Sequence, residues 1–287
     1  SKVKWYYRIN SSGFRGPEVV PQAKTNRILV IGDSYTFGWA VNDDETFPHF
    51  LEKELNDEPR DETVSVINTG VPGYNTIQES ALLEQIWGRT DPDVVVVAYV
   101  MNDAEPQLSV PAAPTVKYRF ASSWFLAKAK KELNRLIPKR GFSFETNIYK
   151  HGDYLSGFAP ESRKWRESKA ALLRIARFCR ARKVPVVVAI LPDASMTYGE
   201  AYPYGMIHER VRKWCGQARI PVTDLLPVLM YRDSREYRIE GEGHPNARAH
   251  KLYASVIGKL VRDVCISNSF NGSENVGVPG LTVNDTA

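Results

Sequence analysis

Short apolar runs rich in β-branched residues alternate with amphipathic helical patterns along most of this chain. In one of them, Val94–Val97, four valines follow one another, so both faces of that strand must be covered by other elements. Strand and helix in alternation predict a parallel sheet with right-handed crossovers and helices on both faces. We therefore predict an α/β fold, a three-layer α/β/α sandwich with a central, mostly parallel five-stranded sheet. The predicted strands are Arg27–Ile31, Val64–Ile67, Asp93–Ala98, Val184–Leu191 and Ile220–Thr223.

Helical patterns occupy the intervals between these strands. Thr46 is a candidate N-cap for the first helix of any length. The side chains that share the apolar face of that helix are Phe47, Phe50, Leu51 and Leu55. The later predicted helices are Thr76–Trp87, Glu161–Lys183, Met206–Ala218 and a last one with an apolar stripe formed by Leu252, Val256, Leu260 and Val264.

The sequence divides into a core with additions at both ends and one insertion. Residues 26–265 carry the alternating pattern and are predicted to form one domain, on which an aromatic-rich arm, residues 1–25, packs. Residues 104–160 follow the third strand and are rich in Pro and aromatic residues, which predicts a lid, a pocket wall or an extra packed helix around Trp124–Ile137. Residues 266–287 are rich in Ser, Asn and Gly and are predicted to be a mobile tail.

Composition excludes several classes of protein. With 43% hydrophobic and 25% charged residues, the chain of 287 residues has the composition of a soluble globular protein, and no apolar run approaches the roughly 20 residues that span a bilayer. Charges of both signs are interspersed although the net charge is +5, so we predict no nucleic-acid partner. Cys179, Cys215 and Cys265 lie far apart without a Cys-x-x-Cys pair, which predicts no metal or redox motif and leaves one disulfide open.

Chemistry-bearing residues follow the predicted strands, at the sheet edge where ligands bind. The first strand ends in Gly32–Gly38, a turn that carries Ser34 and lacks the spacing of a phosphate-binding loop. Asn68–Thr76, after the second strand, holds two glycines whose backbone N–H groups could receive an anion. Asn102 follows the third strand, and His244 precedes the last helix. Each segment taken alone is also ordinary turn chemistry.

Among the histidines, only His244 lies within such a motif. Pro245 follows it at what we predict to be the first position of the last helix, which would fix the imidazole at the helix entrance. The histidines predicted to be surface, packing or capping residues are His49, His151, His208 and His250.

Taken in order, these segments resemble the motifs of the SGNH (GDSL-like) hydrolase superfamily. The four motifs of that superfamily supply Ser, Gly, Asn and His, in that order along the chain. The resemblance covers roughly residues 26–103 and 184–262. It implies a flavodoxin-like arrangement of the three layers and a site that needs neither a metal ion nor another cofactor. The run from Gly32 to Trp39 and the arm segment Asn10–Gly16 are also similar to a subgroup of envelope-associated members.

The resemblance also implies roles for individual residues. Ser34 would be the nucleophile and His244 its general base, because serine is a weak nucleophile until an imidazole takes its proton. The oxyanion hole would consist of the Ser34 N–H, the Gly73 N–H and the Asn102 side chain, with donors worth about 3 kcal/mol each. Asp33 is expected to hold the turn around Ser34 by hydrogen bonds.

Two positions depart from the superfamily pattern. Val100 stands where the third motif usually has Gly, and Gly241 stands where the last motif usually has the Asp that orients the histidine. We assign Glu242 to that orienting role, with Glu240 as the alternative. A Ser–His dyad without a carboxylate also remains open.

The expected function is that of a serine esterase, of the carbohydrate O-deacetylase type, acting through an acyl-serine intermediate. The alternatives are an O-acyltransferase that passes the acyl group to a sugar hydroxyl and a non-catalytic carbohydrate-binding relative. The expected partners are a small-molecule or carbohydrate ester and the cell envelope, while the oligomeric state is left open. We expect a periplasmic or other extracytoplasmic location, with the cytoplasm as the alternative.

Overall fold

Five strands form the centre of the computed structural model, which describes residues 5–19, 25–57, 62–105, 154–241 and 243–271. The strands are β1 (Thr25–Gly32), β2 (Thr63–Asn68), β3 (Val94–Tyr99), β4 (Val186–Ile190) and β5 (Val222–Asp224). All neighbouring pairs are parallel, in the order β2-β1-β3-β4-β5. The predicted five-stranded parallel sheet is therefore confirmed.

Helices connect these strands in the predicted alternation. They are α1 (Ser34–Phe37), α2 (Phe47–Asn56), α3 (Thr76–Thr90), α4 (Tyr154–Gly157), α5 (Arg163–Arg180), α6 (Gly205–Gln217), α7 (Leu226–Leu229) and α8 (Ala247–Asn271). Short 3₁₀ turns lie at Asp43–Glu45, Met101–Ala104 and Ser234–Tyr237. The Thr46 cap is present, because its Oγ1 accepts the His49 N–H at 3.4 Å.

The strand order determines which face of the sheet each helix covers. The chain leaves β1 for β2 on one side and then returns past β1 to β3, so right-handed crossovers place α2 and α3 on opposite faces. Helix α8 packs on α2, and α5 packs on α3, which completes a layer on each face. The reversal of direction also makes the carboxyl end of β1 a topological switch point, where ligands bind in sheets of this kind.

The burial of β3 agrees with its unbroken apolar sequence. Every residue from Val94 to Tyr99 is at most 4% exposed, because β3 lies in the middle of the sheet with a helical layer on each side. A fully buried valine contributes about 1.5–3 kcal/mol relative to an exposed one. Burial of β3 therefore stabilises the sheet, whose carboxyl edge carries the turns with the chemistry-bearing residues.

Cys179 and Cys215 are free thiols, so the disulfide within the chain that the sequence left open is absent. Cys179 and Cys215 are buried in α5 and α6, whereas Cys265 is exposed. Burial raises the pKa of the Cys179 and Cys215 thiols to about 12, so both stay protonated and pack as small apolar groups. Within the described residues, no helix has the length and apolar character needed to cross a bilayer.

The arm, the insertion and the tail are described in part. In the arm, Phe14 and Arg15 are buried, and Arg15 forms an antiparallel bridge with Asn68 at the end of β2. Of the insertion, residues 106–153 lie outside the described residues, including the helix expected around Trp124–Ile137 and His151. Helix α8 continues to Asn271, beyond the position where the sequence placed the end of the domain, and the rest of the predicted tail lies outside the description.

Alanine at Gly70 is expected to destabilise the fold by about 1–3 kcal/mol. A Cβ at Gly70 would lie 2.2 Å from the Phe37 backbone nitrogen, so the loop after β2 could no longer pack on α1. Gly88 on α3 is the matched control, because nothing lies within 4 Å of its added Cβ and alanine there should stabilise the helix by about 0.8–1 kcal/mol. Urea denaturation measures both effects, and equal effects at the two positions would contradict the packing described here.

Candidate active site

Ser34 is the first residue of α1, at the carboxyl end of β1. Asp33 caps this one-turn helix by accepting the Tyr35 N–H at 2.8 Å. Gly38 ends the helix at φ +79°, a conformation that favours glycine, and its N–H donates to Ser34 O at 3.0 Å. Ser34 is only 4% exposed. The tight turn after β1 therefore holds its hydroxyl at the switch point of the sheet.

A closed loop before α8 carries His244. The Ile239 N–H donates to His244 O at 2.7 Å, and Arg238 and Pro245 form an antiparallel bridge across the loop. Arg238 also donates from Nη1 to Ser195 O at 2.9 Å, which fastens the loop to the segment after β4. These bonds hold the backbone of His244 between two elements of the core.

The position predicted for Pro245 was wrong. Helix α8 begins at Ala247, and Asn246 is its cap, because Asn246 Oδ1 accepts the Ala249 N–H at 3.1 Å. Pro245 therefore precedes the cap and lies in the bridge with Arg238. An asparagine directly before the helix is the stronger capping residue, since its side chain supplies an acceptor that proline lacks.

The structure brings Ser34 and His244, 210 positions apart in sequence, into hydrogen-bonding contact. His244 Nε2 lies 3.1 Å from Ser34 Oγ, and both residues are buried. The rings of Tyr35 and Trp39 lie 5.7 Å and 6.1 Å from the imidazole ring, between centroids. With Nε2 unprotonated, the hydroxyl donates to the imidazole, which is the contact that a serine nucleophile and its general base require.

Asp33 connects Ser34 to Asn102. Asn102 Nδ2 donates to Asp33 Oδ2 at 3.0 Å, and Ser34 Oγ lies 3.4 Å from the same oxygen. Burial raises the pKa of Asp33, while the N–H bonds from Tyr35 and Asn102 oppose the rise. Asn102 Nδ2 carries two hydrogens, so one remains for a second acceptor. Asp33 thus orients the Asn102 carboxamide as well as capping α1.

Gly73 lies on the loop between β2 and α3, next to the turn that holds Ser34. The Val71 N–H donates to Gly32 O at 3.0 Å, which attaches this loop to the end of β1. Gly73 is exposed at φ +82°, and its N–H has no acceptor within the described residues. Backbone N–H groups in such turns are suited to receive an anion.

The two carboxylates that the sequence assigned to His244, Glu242 and Glu240, belong to the loop before α8. Glu242, the assigned partner, lies outside the described residues. Glu240, the alternative, is exposed and makes no hydrogen bond or ion pair with a described residue. Gly241, at φ +74°, occupies the turn where the superfamily usually has Asp. At the other departure, the Val100 N–H donates to Asp103 Oδ2 at 2.6 Å, so Val100 begins the turn that carries Asn102.

His208 is more than a packing residue. It is 1% exposed, with Nδ1 2.7 Å from Asp224 Oδ1 at the end of β5 and Nε2 3.2 Å from the Tyr202 hydroxyl. The Asp193 N–H donates to the Tyr202 oxygen at 2.8 Å, so this chain of bonds anchors the loop after β4. The sequence offered no signal for it, because His208 and Asp224 lie 16 positions apart without a motif.

The other described histidines have no catalytic contacts. His49 is exposed, as predicted. His250 is buried in α8, where Nδ1 accepts the Phe47 N–H at 3.2 Å, and burial lowers its pKa to about 3. In the parts of the chain that the structure describes, no group of three or more His, Cys, Asp or Glu side chains could hold a metal ion.

Arg15, from the N-terminal arm, binds the backbone of the turn that begins with Ser34. Its guanidinium donates to the carbonyl oxygens of Phe37, Gly38 and Val41, just beyond the C-terminal end of α1. Its Nε also donates to Asp43 Oδ1 at 3.0 Å. No motif in the sequence predicts this role, because an arginine in an arm is ordinarily exposed.

Comparison with known families and structures agrees with the fold described above. A family model described as the GDSL-like Lipase/Acylhydrolase family matches residues 30–252. Among solved structures, TesA is 15% identical with a TM-score of 0.53, and the match covers 83% of this chain and 99% of that one. No curated protein sequence matches this chain.

Two further solved structures share the fold. The psychrotrophic esterase EstA from Pseudoalteromonas sp. is 14% identical with a TM-score of 0.51, and the match covers 84% of this chain and 99% of that one. A two-domain esterase, CEX, described as active on acetylated mannans, is 14% identical with a TM-score of 0.52, over 90% of this chain and 53% of that one. Because sequence identity is low, these likenesses establish the fold alone.

Proposed function

The chain belongs to the GDSL-like lipase/acylhydrolase family, and we propose that this ester-bond hydrolase is a serine esterase that removes acetyl groups from carbohydrate. The observation that carries the proposal is the 3.1 Å contact between Ser34 Oγ and His244 Nε2 at the switch point of the sheet. The family match makes ester chemistry the reaction class, and this contact supplies a nucleophile with a proton acceptor beside it.

The proposed reaction has two steps. In the first, Ser34 Oγ attacks the ester carbonyl carbon while its proton passes to His244 Nε2, and the sugar hydroxyl then leaves with that proton, which gives acyl-Ser34. In the second, water gives a proton to His244 Nε2 and attacks the acyl carbon. The bond from that carbon to Ser34 Oγ then breaks, His244 returns the proton to Oγ, and acetate is released. In both steps the oxyanion would be held by the N–H groups of Ser34 and Gly73 and by Asn102 Nδ2.

Two observations favour an acetylated carbohydrate. The CEX esterase, which shares the fold, is described as active on acetylated mannans. The partly exposed Trp39 and Tyr35 rings beside His244 offer flat apolar surfaces of the kind on which a sugar ring can lie. An extracytoplasmic location and an association with the cell envelope are part of the same proposal, on the likeness of Asn10–Gly16 to envelope-associated members.

Product analysis separates this proposal from its alternatives. The protein is incubated with an acetylated oligosaccharide, with and without a non-acetylated glycan, and acetate and glycan masses are followed. An esterase releases free acetate, and Ser34→Ala releases none above background. Acetylated acceptor in place of acetate would make the protein an O-acyltransferase, and carbohydrate binding without either product would make it a non-catalytic relative.

A further inference from the structure

Two buried carboxyl groups that the proposed reaction does not use are Asp103, in the turn that carries Asn102, and Glu79, on the helix packed against that turn. Glu79, in the first turn of α3, is 0% exposed, and Asp103 is 1% exposed. Neither Glu79 oxygen nor Asp103 Oδ1 receives an N–H or O–H donor from any other described group. The first turn of α3 packs against the Met101–Ala104 turn, where the Glu79 and Asp103 side chains interact with each other.

Such a pair must hold a proton. Two buried carboxylates that interact at close range cannot both be ionised, because burial withdraws them from the solvent that would stabilise two negative charges. Burial raises the pKa of Glu79 well above its ordinary value, and the charges of Asp103 and Asp33 raise it further. Burial raises the pKa of Asp103 as well, but the Val100 N–H, 2.6 Å from its Oδ2, and the Glu79 side chain oppose that rise. The proton therefore resides on Glu79, whose hydroxyl donates to Asp103.

This hydrogen bond is one of several that join α3 to the Met101–Ala104 turn. Asn75 Nδ2, at the cap of α3, donates to Glu105 O at 2.9 Å. Thr76 Oγ1 donates to Asp103 O at 3.3 Å. The first turn of α3 thus contacts the backbone on the C-terminal side of Asn102 twice and the side chain of Asp103 once.

The first turn of α3 directly follows the loop that holds Gly73, whose N–H is the other proposed donor to the oxyanion. Gly73 precedes the α3 cap Asn75 by two residues, so any displacement of the first turn of α3 relative to the Asn102 turn changes the spacing between the two donors. Asn102 is also the residue directly before Asp103, and its side chain is oriented by Asp33. Loss of the contact between Glu79 and Asp103 would therefore change the positions of the oxyanion-hole donors, although Glu79 is not one of them.

We propose that Glu79, in its protonated form, is a positioning residue that acts through Asp103 to fix Asn102 relative to the Gly73 loop. The proposal rests on the proposed function, since it assigns Glu79 to the oxyanion hole of that reaction. Glu79 touches neither the nucleophile nor the general base in the described structure, so it acts only through Asp103.

Three variants test the role in acetyl ester hydrolysis. Glu79→Gln keeps a neutral donor to Asp103 and should retain kcat within about threefold, whereas Glu79→Leu removes the donor and should lower kcat by about 10–100-fold with little change in KM. Glu84→Gln is the matched control on the same helix, because Glu84 pairs with Arg174 at the surface, and it should leave kcat unchanged. A folded Glu79→Leu with the wild-type kcat, or an equal loss in Glu79→Gln, would overturn the proposal.

The pH dependence supplies a second readout that a purely structural apolar contact would not give. The titratable groups facing Glu79 are Asp103 on the turn, Asp33 at the end of β1 and Tyr99 on β3, and no cation of the described residues is among them. Because the folded-state pKa of Glu79 is raised, its folded state holds a proton that the unfolded chain has lost above about pH 4.5. The free energy of unfolding should therefore fall as the pH rises from about 4.5 towards the raised pKa of Glu79.

The comparison that isolates this effect is wild type minus Glu79→Gln. The difference in melting temperature should move against the wild type as the pH rises above about 4.5, and kcat of the wild type should fall at high pH where that of Glu79→Gln does not. Parallel profiles would overturn the role of the proton. If Ser34-dependent hydrolysis is itself absent, the proposed function fails, while the melting profiles still report on the carboxyl pair.

Discussion

Alanine at Ser34 or at His244 is expected to lower kcat/KM for p-nitrophenyl acetate by about 10⁴-fold or more. Without Ser34 no acyl-enzyme forms, and without His244 the hydroxyl keeps its proton and remains a weak nucleophile. The two act as one unit because His244 Nε2 lies 3.1 Å from Ser34 Oγ. Steady-state hydrolysis of the purified variants, with circular dichroism to verify folding, measures the loss.

The double variant distinguishes a coupled pair from two separate contributions. Ser34→Ala combined with His244→Ala should be no slower than either single variant, because each already removes the same step. His49→Ala is the control for losing an imidazole, since His49 is exposed and lies outside the site, and it should retain full activity. Multiplicative losses in the double variant would mean that Ser34 and His244 do not act together.

Methionine at Arg15 is expected to destabilise the protein by about 3–5 kcal/mol. The Arg15 side chain is 1% exposed, and its removal takes one donor from Asp43 and one from each of three backbone carbonyl groups. Burial lowers the pKa of Arg15, and its hydrogen bond to Asp43 opposes that change. Urea denaturation measures the change in the free energy of unfolding.

The variant should also lower kcat, because the unsupported carbonyl groups follow directly on the helix that begins with Ser34. Arg8→Met is the matched control: Arg8 also contacts Asp43, at 3.8 Å, but its side chain is 64% exposed and a surface pair contributes little. Similar stability for the two variants, or an Arg15→Met enzyme with unchanged kcat under conditions where it is folded, would contradict the supporting role of the arm.

The sheet and the two central residues of the site were predictable from the sequence because their signals are local. An unbroken valine run implies a strand covered on both faces, and β3 is buried throughout. Parallel strands bring their carboxyl ends to one edge, so the turns after them can be compared even when they are far apart in sequence. Ser34 and His244 could be singled out on that ground together with the superfamily resemblance.

The supporting residues were not predictable because their roles depend on tertiary contacts between ordinary residues. Arg15 and Glu79 look like surface charges in the sequence, and both are buried. His208 was predicted to be a surface or packing residue, yet it is bonded to Asp224. Charged side chains are buried only where partners meet them, and those partners come from other elements.

For the motif around His244, prediction from the sequence was incomplete for a different reason. Pro245 was expected to begin α8 because proline suits the first turn of a helix, but the Asn246 side chain caps the helix instead. The carboxylate expected to orient His244 was assigned from spacing alone. Glu240 makes no such contact, and Glu242 stays a prediction.

Covalent labelling of Ser34 tests the central claim most directly. The wild-type protein is treated with a fluorophosphonate and its intact mass is measured, followed by mapping of the labelled peptide. One phosphonyl group should be added, on Ser34, with much slower labelling in His244→Ala and none in Ser34→Ala. An unlabelled wild-type protein, or a label on another residue, would contradict the assignment of Ser34 and His244 as nucleophile and base.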